Sequence, residues 1–312
     1  MRWSTYLSRS DGREHAGLWV DGALHGLAEV AGVLELLGDG GERMAAAATR
    51  ALDDPFEVVP PLDVQGAALR PPVPVPPSIR DFMSFESHVA TMSASRGGVD
   101  PGWYELPVFY FTSPAAVRGP HDAVAIAPGS SRFDYELEVA AVVGREGADL
   151  SPGEAEDHIA GYMVLCDWSA RDIQAREMRQ RLGPAKGKDS ATSFGPYLVT
   201  PDELATRRKG ASYDVAMTAS VNGRPHGGGN LADLRWSFGQ MLSYASRGTR
   251  VLPGDVLGSG TVGTGCIAEL VALHGEGSFS WLAPGDTVHL EVEMLGAVHS
   301  AILPAAEVVP LR

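Results

Sequence analysis

The chain has 312 residues, with 25 Lys and Arg against 39 Asp and Glu, a formal net charge of −14 that argues against nucleic acid or an anionic membrane as an electrostatically attracted partner. Two cysteines, Cys166 and Cys266, have no CxxC spacing, which argues against a disulfide framework or a cysteine zinc cluster and fits a reducing cytoplasm. The opening MRWSTYLSRSDG lacks a continuous apolar run, and no stretch approaches the ~20 apolar residues of a membrane span, so a soluble, unexported, cytoplasmic protein is expected.

In chain order, RWSTYLS and HAGLWV read as short strands, and GVLELLGDGGERMAAAATRAL as alanine-rich amphipathic helix. The proline run in LRPPVPVPPSIRDF forms neither helix nor central strand and reads as a linker. The expected division is a small N-terminal α+β domain with its linker over 1–74 and a larger domain over 75–312. Beyond residue 75, short apolar or alternating segments such as VAIAPGS, IAGYMVLCDWS, GPYLVTPDEL and TVHLEVEML stand between Gly, Pro, Asn and Asp, which predicts a mostly β domain. Asn222-Gly223 between VAMTAS and RPH predicts a hairpin. EAEDHIAGYM, SARDIQAREMRQRL and NLADLRWSFGQMLSYASRG predict the few helices, the last ended by a glycine.

The segment FDYELEVAAVVG (133–144) alternates acids with apolar residues. On a strand, Asp134, Glu136 and Glu138 fall on one face and Phe133, Tyr135, Leu137 and Val139 on the other. Same-face neighbours lie roughly 7 Å apart, close enough to raise one another's pKa unless a positive group stands between them. A solvated face of a half-buried strand fits the alternation as well.

Other segments carry candidate chemistry. The apolar run GYMVLC ends in Asp167, where a strand gives way to a helix on which Arg171 and Gln174 share a face, suited to an anionic ligand but also to ordinary i, i+3 charge pairing. GPAKGKDSATSFGP places Lys188 in a Gly- and Ser-rich loop where a cation and backbone amides can approach a substrate. RDFMSFESHVATM holds Asp81, Glu86 and His88, and GSGTVGTGCIAEL holds Thr261 and Glu269; each segment taken alone reads as a loop.

DYELEVA, CDWSARDIQ, GKDSATSFGP, LPGDVLGSGT and LAPGDTV, in this order, resemble the fumarylacetoacetate hydrolase family across roughly residues 75 to 300. The resemblance implies an α+β, mostly β fold with a mixed β-sandwich roll as catalytic domain, usually homodimeric, and a divalent metal held by carboxylates. It places the four metal ligands on Asp81, Glu136, Glu138 and Asp167. All-oxygen ligation suits Mg²⁺ or Mn²⁺, or Ca²⁺, rather than zinc. Asp134 receives no family role. The substrate-binding set falls on Arg171, Gln174, Lys188, Thr192, Thr261 and Tyr110, with Lys188 and Gln174 also serving catalysis. His88 stands seven residues after Asp81, where the family's cleaving members carry their base. Short relatives show His-x-x-Glu, but Thr91 occupies that place here, so the partner of His88 is Glu269 or, failing that, Glu86.

The implied reaction is hydrolytic C–C cleavage of a β-diketo acid or acylpyruvate. The cation polarises the carbonyl and stabilises the enolate, His88 activates water, and Arg171 binds the substrate carboxylate. The family also includes decarboxylases, tautomerases or isomerases, and sugar-acid dehydratases or hydrolases, and a non-catalytic metal- or ligand-binding protein is the alternative of a different class.

Overall fold

The computed structural model describes residues 1–61 and 68–312. Two sheets dominate. The larger is mixed and runs in the order Val58–Val59, Ala23–Gly26, Glu14–Val20, Arg2–Leu7, Leu198–Val199, Ile159–Asp167, Leu137–Val143, Val256–Gly258, Ile79–Phe82 and Phe109–Thr112. Thr192–Phe194 pairs with Ile159–Asp167 beside this path, and Ala68–Arg70 with Arg2–Leu7. Most neighbours are antiparallel, but Val256–Gly258 runs parallel to Ile79–Phe82. The second sheet has the order Arg224–Asn230, Ala216–Val221, Thr287–Val292, Gly296–Leu303 and Val124–Ala125. Together these give the mostly β, α+β architecture.

Local sequence accounts for several elements. Asn222 and Gly223 carry φ of 53° and 72°, as the expected hairpin requires, and join Ala216–Val221 to Arg224–Asn230. Pro225 is tolerated there because Arg224–Asn230 is an edge strand. The helices are shorter than their amphipathic patterns suggest. Val33–Leu36 is only a 3₁₀ turn, and the α-helix begins at Glu42, after Gly38, Gly40 and Gly41 have taken positive φ. The expected EAEDHIAGYM helix ends at Glu156: Ser151 and Glu154 form a capping box around Pro152, and Ile159–Asp167 is strand. The 230–248 helix starts only at Phe238, because Ser237 and Gln240 form a second capping box.

The strands before the proline run extend the large sheet, with Arg2 opposite Val199 and Trp3 opposite Leu198. Residues 71–78 form no helix or strand. Two apolar cores lie on opposite faces of the sheet. Leu137, Val139, Ala141 and Val143 point into one, which is shared with the second sheet and with the Phe238–Ala245 helix. Ala140, Val142, Met163, Leu165, Val256 and Ile79 point into the other, beneath Trp3, Val33, Met44 and Ala47. Among the described residues no helix is long and apolar enough to cross a membrane.

Candidate active site

The second of these faces changes character along the strands. Ile79, Val256, Met163, Leu165, Ala140 and Val142 pack apolar side chains at one end. Two residues further along each strand, on the same face, stand Asp81, Gly258, Asp167 and Glu138, with Glu136 beyond Glu138. Pairing aligns them: Gly258 lies opposite Asp81 on one side and opposite Ala140 on the other, and the Asp167 N–H donates to the Glu136 carbonyl at 3.3 Å. Tyr110 is directly opposite Asp81, and Thr192 directly opposite Asp167. The four acids expected as ligands therefore share one sheet face, and all are buried. None is the solvated acid that alternation alone allowed.

Gly258 makes room for two of them. A Cβ there would lie 2.5 Å from Asp81 Oδ1 and 3.0 Å from Glu138 Oε2. Glu138 Oε2 accepts from the Gly260 N–H at 2.9 Å. Lys188 Nζ bridges Glu136 Oε2 and Asp167 Oδ2, at 2.7 Å from the latter, and the Tyr110 hydroxyl bridges Asp81 Oδ2, at 3.0 Å, and Asp167 Oδ2.

Burial, and behind it the charge of Asp81, holds the Glu138 carboxyl well above its ordinary range. Burial raises Asp81 and Asp167 as well, although Lys188 opposes the rise in both. Glu136 goes the other way. Burial disfavours its charge, but Arg171 and Lys188 outweigh burial and hold the carboxyl far below the usual carboxylate range. Lys188 remains charged because Asp167 and Glu136 more than offset its desolvation, lifting it above the ordinary lysine value. Burial is also the first cause of the raised Tyr110 hydroxyl, ahead of Asp167 and Asp81.

Arg171 and Gln174 begin the Arg171–Met178 helix, with Arg171 Nη1 donating to Gln174 Oε1 at 3.3 Å. The helix is tied to the Lys188 loop by Glu177, whose carboxylate accepts from the N–H groups of Ala185 (3.0 Å), Lys186 (2.7 Å) and Gly187 (3.0 Å). Gly187 has to be a glycine, since a Cβ would lie 2.7 Å from the Gln174 backbone. Thr192 Oγ1 is buried without a hydrogen-bond partner. Thr261 is buried in the glycine series after Val256–Gly258, and among the described residues no hydrogen bond of its hydroxyl ties it to the others.

His88 and Glu269, read above as loop residues, lie on the helices Glu86–Ser93 and Ile267–His274. His88 Nδ1 is 2.7 Å from Glu269 Oε2, and the same oxygen accepts from the Thr264 N–H at 2.8 Å. Thr264 presents that N–H from φ 61°, a left-handed conformation that is strained for a β-branched residue and costs of order 1–3 kcal/mol. It is clamped there by a hydroxyl that exchanges hydrogen bonds with the Gly228 backbone. Glu86 instead accepts from the Tyr104 hydroxyl, so Glu269 is the carboxylate that reaches His88.

Asp134 was the residue left without a role. Its carboxylate, fully buried, accepts from Arg171 Nε at 2.8 Å and from the N–H groups of Ile267 (2.8 Å) and Ala268 (3.0 Å) at the start of the Glu269 helix. It links the arginine to the helix carrying the partner of His88. The available signal was Arg171 itself, a cation that, once largely covered, needs a counter-ion.

The donor set fits a hard divalent cation. Every candidate ligand is a carboxylate, burial and the neighbouring negative charges push three of the four upward from the ordinary carboxyl range, and Asp81 Oδ1 and Asp167 Oδ1 are buried without any hydrogen-bond partner.

The family model described as fumarylacetoacetate (FAA) hydrolase C-terminal matches residues 78–303. A 2,4-didehydro-3-deoxy-L-rhamnonate hydrolase of Sphingomonas sp. (strain SKA58) is 31% identical over 193 residues, covering 61% of this chain and 62% of that protein. A mitochondrial oxaloacetate tautomerase of Homo sapiens is 29% identical over 198 residues, covering 63% of this chain and 59% of that protein. This chain thus spans less than two thirds of the length of both relatives. The crystal structure of a maleylpyruvate hydrolase from Sphingobium sp. SYK-6, in complex with manganese(II) and pyruvate, superposes with a TM-score of 0.71 at 20% identity, over 98% of this chain and 100% of that one, a likeness of fold alone.

Proposed function

The chain belongs to the fumarylacetoacetate hydrolase family, and from that premise we propose that it is a divalent-cation-dependent hydrolase cleaving a C–C bond in a β-diketo acid or acylpyruvate. The observation that carries the reading is the His88–Glu269 pair at 2.7 Å, buried in the same molecule as the four-carboxylate face. A hydrolase needs a base for water, and an imidazole oriented by a carboxylate is suited to that task. With the Nδ1 proton directed to Glu269, Nε2 is the atom left to take the proton from water.

Asp81, Glu136, Glu138 and Asp167 are the residues that would hold Mg²⁺ or Mn²⁺, with Ca²⁺ open to the same oxygen chemistry. When bound, such a cation supplies Lewis-acid polarisation of a substrate carbonyl. The chain's own groups do the rest. Arg171, fixed by Asp134, pairs with the substrate carboxylate; Lys188 and Gln174 donate to the oxygen that gains charge as the bond breaks; Thr192, Tyr110 and Thr261 complete the substrate contacts. Glu269 steadies the imidazolium once His88 holds the proton. That the maleylpyruvate hydrolase of the same fold is in complex with manganese(II) and pyruvate supports both a divalent cation and a 2-oxo acid as ligands. The catalytic part is proposed to be 75–312, with 1–74 as the smaller unit, and the assembly to be a homodimer.

A second reading has one observation in its favour, the similarity to an oxaloacetate tautomerase. There the same His88 would move a proton between carbon and oxygen without water. The deciding experiment incubates Mg²⁺- or Mn²⁺-loaded protein with acylpyruvates and with oxaloacetate. Release of pyruvate from an acylpyruvate, lowered about 10²- to 10⁴-fold by His88→Ala, is the expected result. Accelerated keto–enol interconversion of oxaloacetate without any cleavage would select the second reading.

A further inference from the structure

Beside the carboxylate face lies a second group of metal-binding side chains of different chemistry. His88, Cys266 and Glu269 are all buried, and each offers one ligand atom within 4.8 Å of the other two. We propose that these three residues form a binding site for a zinc-type cation, Zn²⁺ or Cd²⁺, separate from the oxygen-only set.

Donor type separates the two sites. Mg²⁺ and Mn²⁺ favour oxygen and find it in Asp81, Glu136, Glu138 and Asp167, whereas imidazole nitrogen, thiolate sulfur and a single carboxylate make a mixed set preferred by zinc and cadmium. The local fold brings the three together. Cys266 is the N-cap of the Ile267–His274 helix, and its Sγ accepts from the Glu269 N–H at 3.4 Å, so sulfur and carboxylate both stand at the helix start. The Thr264 N–H fixes Glu269 Oε2 from one side, and His88 Nδ1 meets it from the other. His88 retains a tenth of its side-chain exposure while Glu269 retains almost none, so entry is past the imidazole. Burial, followed by the charge of Asp134, keeps the Cys266 thiol well above its ordinary value, and a cation must expel that proton on binding.

Three protein ligands leave a fourth position for water, as in open zinc sites. A cation here removes His88 from its pairing with Glu269, so it inhibits the hydrolysis proposed above. That consequence rests on the proposed role of His88, but binding does not.

The test uses the full chain saturated with Mg²⁺ and Co²⁺ as spectroscopic probe, with no turnover needed. One Co²⁺ per chain is expected, with a near-ultraviolet sulfur-to-cobalt charge-transfer band that equimolar Zn²⁺ removes. Cys266→Ser should abolish the band, and His88→Ala should weaken Co²⁺ binding about tenfold or more. If Cys266→Ser fails to fold by circular dichroism, His88→Ala decides alone. A folded wild type without the band, a band that persists in Cys266→Ser, or unchanged Co²⁺ affinity in His88→Ala each overturns the proposal. Failure of the hydrolytic reading would appear instead as absent acylpyruvate cleavage with the cobalt spectrum intact.

Discussion

Arg171 joins two acids of the alternating segment at once: its Nε donates to Asp134 Oδ2 at 2.8 Å, and its Nη2 lies 2.8 Å from Glu136 Oε1. A guanidinium spans the i, i+2 gap between like charges that would otherwise repel. Asp134→Ala leaves Arg171 with Glu136 alone and strips the Ile267 and Ala268 N–H groups of their acceptor, so it should destabilise the fold by roughly 3–5 kcal/mol. Urea unfolding of wild type and variant measures it. A loss under about 1 kcal/mol would mean the pair is dispensable to the fold.

Removing a carboxylate from the shared face should weaken cation binding before it harms the fold. Asp167→Ala takes away an oxygen that has no hydrogen-bond partner and leaves Lys188 with Glu136 alone. Calorimetric titration with Mn²⁺ should show affinity down about tenfold or more, and activity at low micromolar metal lost. Full affinity in Asp167→Ala would remove that residue from the ligand set.

Gly258→Ala tests the same face without touching a charge. The new Cβ would meet Asp81 Oδ1 and Glu138 Oε2, two side chains held by burial on every side. Forcing them apart should cost about 1–3 kcal/mol of stability and lower Mn²⁺ affinity. Wild-type affinity in a folded variant would place the cation away from these two acids.

Glu177 gives a prediction in pH. Burial works against its charge, but the three N–H groups from 185–187 prevail and hold it below the ordinary glutamate value, as similar bonds do for Asp172. A lowered folded pKa stabilises the native state at pH above the unfolded carboxyl range near ~4.3, and that stability is lost as pH falls through the folded value. Thermal melts should therefore show Glu177→Gln losing less stability than wild type between neutral pH and about pH 3. The same variant should lower kcat more than it raises KM, because the loop it loosens carries Lys188. Identical acid profiles would show that the bonds to 185–187 do not contribute.

What could be read in advance follows the range over which each signal acts. The alternation at 133–139 and Asn222-Gly223 are short-range patterns whose physical cause lies within a few residues, and they describe the structure well; the proline run likewise kept 71–78 out of helix and strand. The helix starts at Pro152 and Phe238 were also local, written in Ser151-x-x-Glu154 and Ser237-x-x-Gln240, but the amphipathic pattern around them was broader than the capped segment. The joining of Arg2–Leu7 to Leu198–Val199 had no such signal, because pairing across nearly 200 residues is decided by tertiary packing. Asp134 escaped for a related reason: its partners lie 37 and 133 residues away.

The sheet face that runs from Ile79, Val256 and Met163 to Asp81, Gly258 and Asp167 also guards the pairing of its own strands. Because side chains alternate, sliding the Leu137–Val143 strand by one residue against its neighbours would turn Glu136 and Glu138 into the apolar cluster around Val164 and Cys166 and expose Leu137 and Val139 to the acids. The side chains packed around Val164 and Cys166 are apolar. Misalignment is therefore punished twice, by stranded charge on one face and lost burial on the other, and the two glutamates act as a proofreading mark for the assembly of the sheet.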